Sequence, residues 1–377
     1  MKISTRLVHG HKGVDKETGA VSFPIYQSAT FRHPGLNQTT GYDYSRLQNP
    51  TREELENTIA SLENGTTGFA FSSGMAAIST ALSLFVPGDH IIVSDDLYGG
   101  TYRLFEEMYK KYGIEFSYLD TSNIDNVKTA VKKNTKALFI ETPSNPIMKV
   151  TDIAAAAELA RSSGILTIVD NTFLTPYYQR PIELGADIVL HSGTKYLGGH
   201  NDTLAGLIVV KNEELAARIK LIQKTEGAML APFDSWLILR GIKTLSVRMD
   251  RQQKNAAEVA NWLRSNNNVE RVYYIGLEDH EGYEISKRQA SGFGAMISFS
   301  VKDASLVEKV LERIRLVLFA ESLGGVESLI TYPMVQTHSA IPAEMRERLG
   351  VDEKLLRLSV GIEAAEDIIA DLEQALE

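Results

Sequence analysis

Short apolar runs alternate with helical patterns over more than half of the chain. The runs fall at residues 68–72, 90–94, 115–119, 137–141, 166–170, 187–191 and 204–210, each the length of one strand. Between several of them, apolar residues recur at three- and four-residue spacing, over 76–85, 102–112, 124–132 and 153–161. Strands separated by helices of this length predict βαβ units and a mainly parallel sheet, an α/β fold. A long amphipathic pattern follows over 233–265. The remainder then predicts a smaller α+β unit: a strand over 295–301, a helix over 305–313, a strand over 355–360 and a final helix from Ala365. Residues 1–50 are polar and turn-rich. At 377 residues the chain exceeds one ordinary core. The expected division is an N-terminal segment over 1–50, either an arm that lies on a neighbouring subunit or a loose terminus, an α/β domain over 51–235 and an α+β domain over 236–377.

The chemistry sits where two of these runs end. Ala186-Asp187-Ile188-Val189-Leu190 delivers His191-Ser192-Gly193-Thr194-Lys195-Tyr196, and Ile165-Leu166-Thr167-Ile168-Val169 delivers Asp170, 25 residues before Lys195. Ligands of parallel α/β sheets bind outside the carboxyl ends of the strands. A lysine, an aspartate and two hydroxyls placed there suit pyridoxal phosphate: an amine for a Schiff base, a carboxylate for the ring nitrogen, hydroxyls for phosphate. A Walker-type phosphate loop does not fit. Ile188 stands where that pattern needs glycine, and Lys195 is followed by Tyr196 rather than Ser or Thr. Ser72-Ser73-Gly74-Met75 opens a helix whose free amides favour an anion, and Asp96-Leu97-Tyr98 places an aromatic ring just after a strand. His191 and His200 lack a third ligand at metal-site spacing, so no metal is expected.

Composition narrows the class. The hydrophobic fraction of 44% and charged fraction of 23% are those of a globular protein. A net charge of −9, with both signs mixed along the chain, argues against a nucleic-acid binder. The absence of cysteine excludes disulfides and thiolate metal sites. No uncharged apolar run approaches the ~20 residues of a membrane span, and the first residues have no signal-peptide core. The expected location is cytoplasmic.

Several segments together resemble the Cys/Met-metabolism, or trans-sulfuration, family of pyridoxal-phosphate enzymes. They are Tyr44-Ser45-Arg46 with Asn49-Pro50-Thr51-Arg52, Ser72-Ser73-Gly74-Met75, Asp96-Leu97-Tyr98-Gly99-Gly100-Thr101 and Glu141-Thr142-Pro143-Ser144-Asn145-Pro146. They continue with Asp170-Asn171-Thr172-Phe173, His191-Ser192-Gly193-Thr194-Lys195-Tyr196, Glu321-Ser322-Leu323-Gly324-Gly325 and Arg357-Leu358-Ser359-Val360-Gly361-Ile362-Glu363. The resemblance implies the aspartate-aminotransferase-like fold (fold type I) and a homotetramer of catalytic dimers. It implies that Lys195 carries the cofactor, that Asp170 holds its ring nitrogen and that Gly74, Met75, Ser192 and Thr194 hold its phosphate. Tyr44 and Arg46 would reach that phosphate from the neighbouring subunit. Tyr98 would stack on the ring and take part in proton transfer. Arg357 would clamp a substrate α-carboxylate, assisted by Asn145 and Ser322. Gly193 departs from the alanine more usual in the family, which is expected to loosen the loop slightly.

The fold does not choose among the family's γ-synthases, γ-lyases, β-lyases and homoserine sulfhydrylases. A carboxylate at Glu321 suits a distal ammonium, as in cystathionine or cysteine. With the segment 319–338 and Asn201, it favours a cystathionine γ-synthase over the γ- and β-lyases. A pyridoxal-phosphate aminotransferase is a more distant alternative. A non-catalytic protein of this fold is disfavoured, because the lysine, the aspartate, the phosphate ligands and the arginine are all present.

Overall fold

The computed structural model describes residues 1–339 and 341–377. Seven strands form the larger sheet: β1 (Thr67–Phe71), β2 (His90–Ser94), β3 (Glu115–Leu119), β4 (Thr135–Glu141), β5 (Leu166–Asp170), β6 (Ile188–Ser192) and β7 (Gly206–Val210). Their order is β1-β7-β6-β5-β4-β2-β3. The run from β3 to β6 is parallel, whereas β7 is antiparallel to both β6 and β1. Alternate side chains feed two separate cores. Ile92, Leu138, Ile140, Val169 and Val189 enter one, while Ile91, Val93, Phe139, Ile168 and Ile188 enter the other. Burial on both faces is why these strands read as continuous apolar runs rather than as alternating ones.

The first four helices are α1 (Ile3–His9), α2 (Pro50–Glu63), α3 (Gly74–Leu82) and α4 (Gly99–Leu104). The carboxamide of Asn49 caps α2, accepting the N–H groups of Thr51 and Arg52, and Pro50 occupies the first turn, where no N–H is needed. Ser73 caps α3 through the N–H of Ala76.

A second sheet contains β8 (Val269–Tyr273), β9 (Met296–Val301), β10 (Leu318–Phe319), β11 (Leu329–Thr331) and β12 (Leu355–Ser359), in the order β10-β11-β12-β9-β8. The helices Ser305–Arg313 and Ala365–Leu376 share a core with it. The long pattern over 233–265 is two helices, Pro232–Ile242 and Leu245–Ser265. Near the break, Gly241 lies against the loop that carries Lys195: a Cβ there would sit 2.3 Å from the carbonyl oxygen of Gly198. The expected boundary between residues 235 and 236 falls inside the first of these helices. No described helix is long and apolar enough to cross a membrane.

Candidate active site

Three parallel strands end side by side, each on a polar residue: β4 on Glu141, β5 on Asp170 and β6 on Ser192. The chain then turns through Gly193-Thr194-Lys195, tied by the N–H of Lys195 to the carbonyl of Ser192 at 3.2 Å. Thr194 Oγ1 accepts the N–H of Ala205 at 3.0 Å, closing the loop against the start of β7. A Cβ on Gly193 would lie 2.9 Å from the Cβ of Ala205. Glycine here permits a close approach, so the expectation of a loosened loop is replaced by a tightly packed one. From the other side, the N-terminus of α3 approaches Ser192, with Gly74 so near that a Cβ would stand 3.2 Å from the Cβ of Ser192. Tyr98 stands just before α4, and its N–H donates to Glu141 Oε2 at 3.0 Å.

The second sheet contributes the opposite wall. Arg357 on β12 is buried. Its guanidinium donates to Asn145 Oδ1 at 2.8 Å, to the carbonyl of Ser322 at 3.2 Å and to Thr331 Oγ1 at 3.2 Å. Its Nε has no partner among the described residues. Lys195 Nζ donates to Ser322 Oγ at 3.1 Å. Between the walls lies a cavity of about 260 Å³. Gly74, Met75, Tyr98, Asn145, Asp170, Ser192, Thr194, Lys195, Glu321, Ser322 and Arg357 all line it. Tyr44 and Arg46 do not. They lie on the surface, with the Arg46 guanidinium 5.6 Å from the Tyr44 ring centre and donating to the carbonyl of Lys224.

Sequence reasoning gave no role to Glu141, Thr172 or His338. Glu141 lies within a quoted motif, and its signal was an acid ending an apolar strand. Thr172 lines the cavity and donates both its N–H and its O–H to Asp170 Oδ1, at 3.0 and 2.5 Å. His338 is buried 2.9 Å from the carbonyl of Asn145, so its Nε2 must carry the donated proton, and Nδ1 accepts from Thr337 Oγ1. Burial pulls His338 down to about 4, which keeps it neutral. His191 Nε2 donates to Glu63 Oε1 at 2.6 Å, both side chains being fully buried. Among the described residues no group of His, Asp and Glu is arranged to hold a metal.

None of Lys195, Arg357, Asp170 and Glu141 has an oppositely charged side chain within 4 Å among the described residues. Burial, reinforced by the charge of Arg357, lowers Lys195 to about 8. Burial lowers Arg357 to about 10. Burial raises Asp170, against the two Thr172 hydrogen bonds, and raises Glu141 further because Asp170 stands beside it. Burial also raises Tyr98, with the Glu321 charge adding to it.

Such a cavity suits a flat ligand with an anionic end, a basic ring nitrogen and a carbonyl that an amine can capture. Pyridoxal phosphate has all three, and the residues present fit it. The fold and site therefore define a pyridoxal-phosphate enzyme of the α/β type.

The chain belongs to the Cys/Met metabolism PLP-dependent enzyme family, whose sequence profile matches residues 4–377. It is 53% identical to a cystathionine beta-lyase of Lactococcus lactis, over 100% of this chain and 99% of the relative. It is 52% identical to a cystathionine gamma-synthase/O-acetylhomoserine (thiol)-lyase of Bacillus subtilis, over 99% of this chain and 96% of the relative. The crystal structure of a cystathionine gamma-lyase from Lactobacillus plantarum, complexed with L-serine, superposes with a TM-score of 0.98 at 47% identity. That match covers 100% of this chain and 98% of the other. The protein is accordingly an enzyme of trans-sulfuration chemistry that depends on pyridoxal phosphate.

Proposed function

We propose that the enzyme forms cystathionine by γ-replacement, exchanging the acyloxy group of an O-acylhomoserine, which leaves as a carboxylate, for the sulfur of cysteine. The observation that carries this reading is Glu321. It is a carboxylate on the cavity wall shared with Lys195 and Arg357, suited to the ammonium of the incoming cysteine.

In this reading Lys195 holds the cofactor through its amine, and Asp170 faces the ring nitrogen. Ser192, Thr194 and the amides of Gly74 and Met75 hold the phosphate, and Tyr98 stacks on the ring. Tyr44 and Arg46 complete the phosphate site from the neighbouring subunit of a homotetramer built from catalytic dimers. Bound there, pyridoxal phosphate supplies an electron sink for charge that develops on carbon. Arg357 takes the substrate α-carboxylate in the two-point geometry that a guanidinium favours, with Asn145 Oδ1 and the carbonyl of Ser322 fixing its plane. Once freed, Lys195 Nζ would take the proton from the substrate α-carbon, hand it on through the Tyr98 hydroxyl and, neutral again, take one from the β-carbon. Its amine is a base only when neutral, and burial favours that form. Ser322 Oγ orients Lys195 Nζ between these transfers, and the Tyr98 hydroxyl serves as a second proton carrier. Burial of the site limits water, which favours addition of a thiol over hydrolysis.

A second reading is elimination from cystathionine, at the β- or γ-carbon. It is favoured by the 53% identity to a protein named cystathionine beta-lyase. Product analysis separates the two. The holoenzyme is given cystathionine alone, and then O-acylhomoserine with cysteine. Little keto acid from the first and rapid cystathionine formation from the second are expected. Fast release of pyruvate or 2-oxobutyrate from cystathionine would replace the synthase reading by the β- or γ-lyase, respectively.

A further inference from the structure

Asp170 and Glu141 are register partners at the ends of neighbouring parallel strands. Strands about 4.8 Å apart place such a pair on one face of the sheet, and both side chains line the cavity. Two buried carboxyls this close cannot both stay ionised without a cation between them. We propose that Glu141 is a positioning residue for Asp170: it stands as the neutral carboxylic acid and leaves Asp170 as the single negative charge offered to the ring nitrogen. This rests on the assignment of Asp170 to that nitrogen made above.

The surroundings decide which carboxyl keeps the proton. Asp170 accepts two hydrogen bonds from Thr172, and His191 on β6 favours its charge. Glu141 accepts one hydrogen bond, from the N–H of Tyr98. It faces two like charges, Asp170 on β5 and Asp96 on the loop after β2, with Arg357 on β12 opposing them. Asp96 has its own donors, Ser144 Oγ and the N–H of Ile147. The proton therefore stays on Glu141. A neutral Glu141 still accepts from Tyr98 through its carbonyl oxygen and has an O–H left to donate.

The test uses the full-chain holoenzyme and Glu141→Gln, whose amide supplies an N–H in place of the acid O–H. Near neutral pH the variant is expected to show the wild-type absorption band of the bound cofactor, with a cofactor Kd changed less than about threefold. A group whose folded-state proton affinity is raised stabilises at low pH and loses that stabilisation as pH rises. Wild-type melting temperature should therefore fall relative to Glu141→Gln as pH is raised from about 6 to about 9. A shifted band, a cofactor Kd weakened about tenfold or more, or a melting difference that ignores pH would overturn the proposal. A measurement on the wild type alone can refute the proposal if the variant does not fold. The infrared spectrum near pH 8 should contain a carboxylic-acid carbonyl band that shifts in heavy water. Asp96, raised by burial only to about 6, is ionised by then. Absence of that band contradicts a neutral Glu141. A chain that takes up no chromophore overturns both this inference and the cofactor assignment beneath it, whereas a bound chromophore with a perturbed band in Glu141→Gln overturns the inference alone.

Discussion

The floor and the far wall of the cavity are built from opposite charges, and burial acts on both in the same way. On the floor, at the ends of β4 and β5, Glu141 and Asp170 are pushed up toward their neutral acids. Facing them, Lys195 on the loop after β6 and Arg357 on the wall are pulled down toward their neutral bases, to about 8 and about 10. Elsewhere in the fold, Glu63 is paired with His191 and Asp95 with Lys149, while the buried Arg248, Glu54 and Asp371 hydrogen-bond backbone groups of other segments. Unpaired buried charge costs stability. Where four such groups face one cavity, ligand charges complete the pairs in the reading proposed above: a ring nitrogen on the floor and a carboxylate on the wall.

The comparison breaks most severely at the amine. Lys195→Ala should lower kcat by about 10³-fold or more, and an enzyme that keeps its turnover would refute the role given to Lys195. Next comes the wall. Arg357→Leu should reduce kcat/KM by about 10²- to 10³-fold while the cofactor still binds. Arg357→Lys should not restore it, because an ammonium lacks the two-point geometry. If the cofactor is lost instead, Arg357 belongs with the floor.

The proton affinity of Lys195 gives a pH limb. Capture of added pyridoxal phosphate by the cofactor-free chain should speed up as pH rises through about 8, and then level off. A rate that keeps climbing toward the 10.5 of an ordinary lysine would mean that burial does not act on this amine. Glu321→Gln should raise KM for cysteine or cystathionine about tenfold, with little change for substrates lacking a distal ammonium. The smallest effect concerns packing. Gly193→Ala forces a Cβ to within 2.9 Å of Ala205, and overpacking of this kind costs about 1–3 kcal/mol. Thermal denaturation should show this, and adding Ala205→Gly should recover most of it.

How much was legible in the sequence follows the same division. The floor was readable because parallel strands buried on both faces leave continuous apolar runs. Those over 90–94 and 166–170 coincide with β2 and β5, whereas 115–119 coincides with the half-exposed edge strand β3, where polar and apolar residues alternate. Asp170, Ser192 and Lys195 were then found by looking just past the ends. The wall was not readable from pattern: Asn145 and Arg357 meet across 212 residues of sequence, and only the family resemblance pointed to them. Helix α2 escaped because it buries polar groups that pair internally. Arg52 donates to the carbonyl of Ser45 at 2.6 Å, and Glu54 accepts the N–H groups of His11 and Lys12 at 3.0 Å. The inward face of α2 mixes these polar groups with Leu55, Ile59 and Leu62, a short apolar period at helical spacing that was passed over. Glu141 escaped for a related reason, since an acid ending a strand carries weight only once its neighbour across the sheet is known.

The most direct measurement is to find where the cofactor attaches. Pyridoxal phosphate is added to the full chain, the adduct is fixed with borohydride, and the labelled peptide is identified by mass spectrometry. The account predicts a single stable label on Lys195. A label on another lysine, or none, would contradict it.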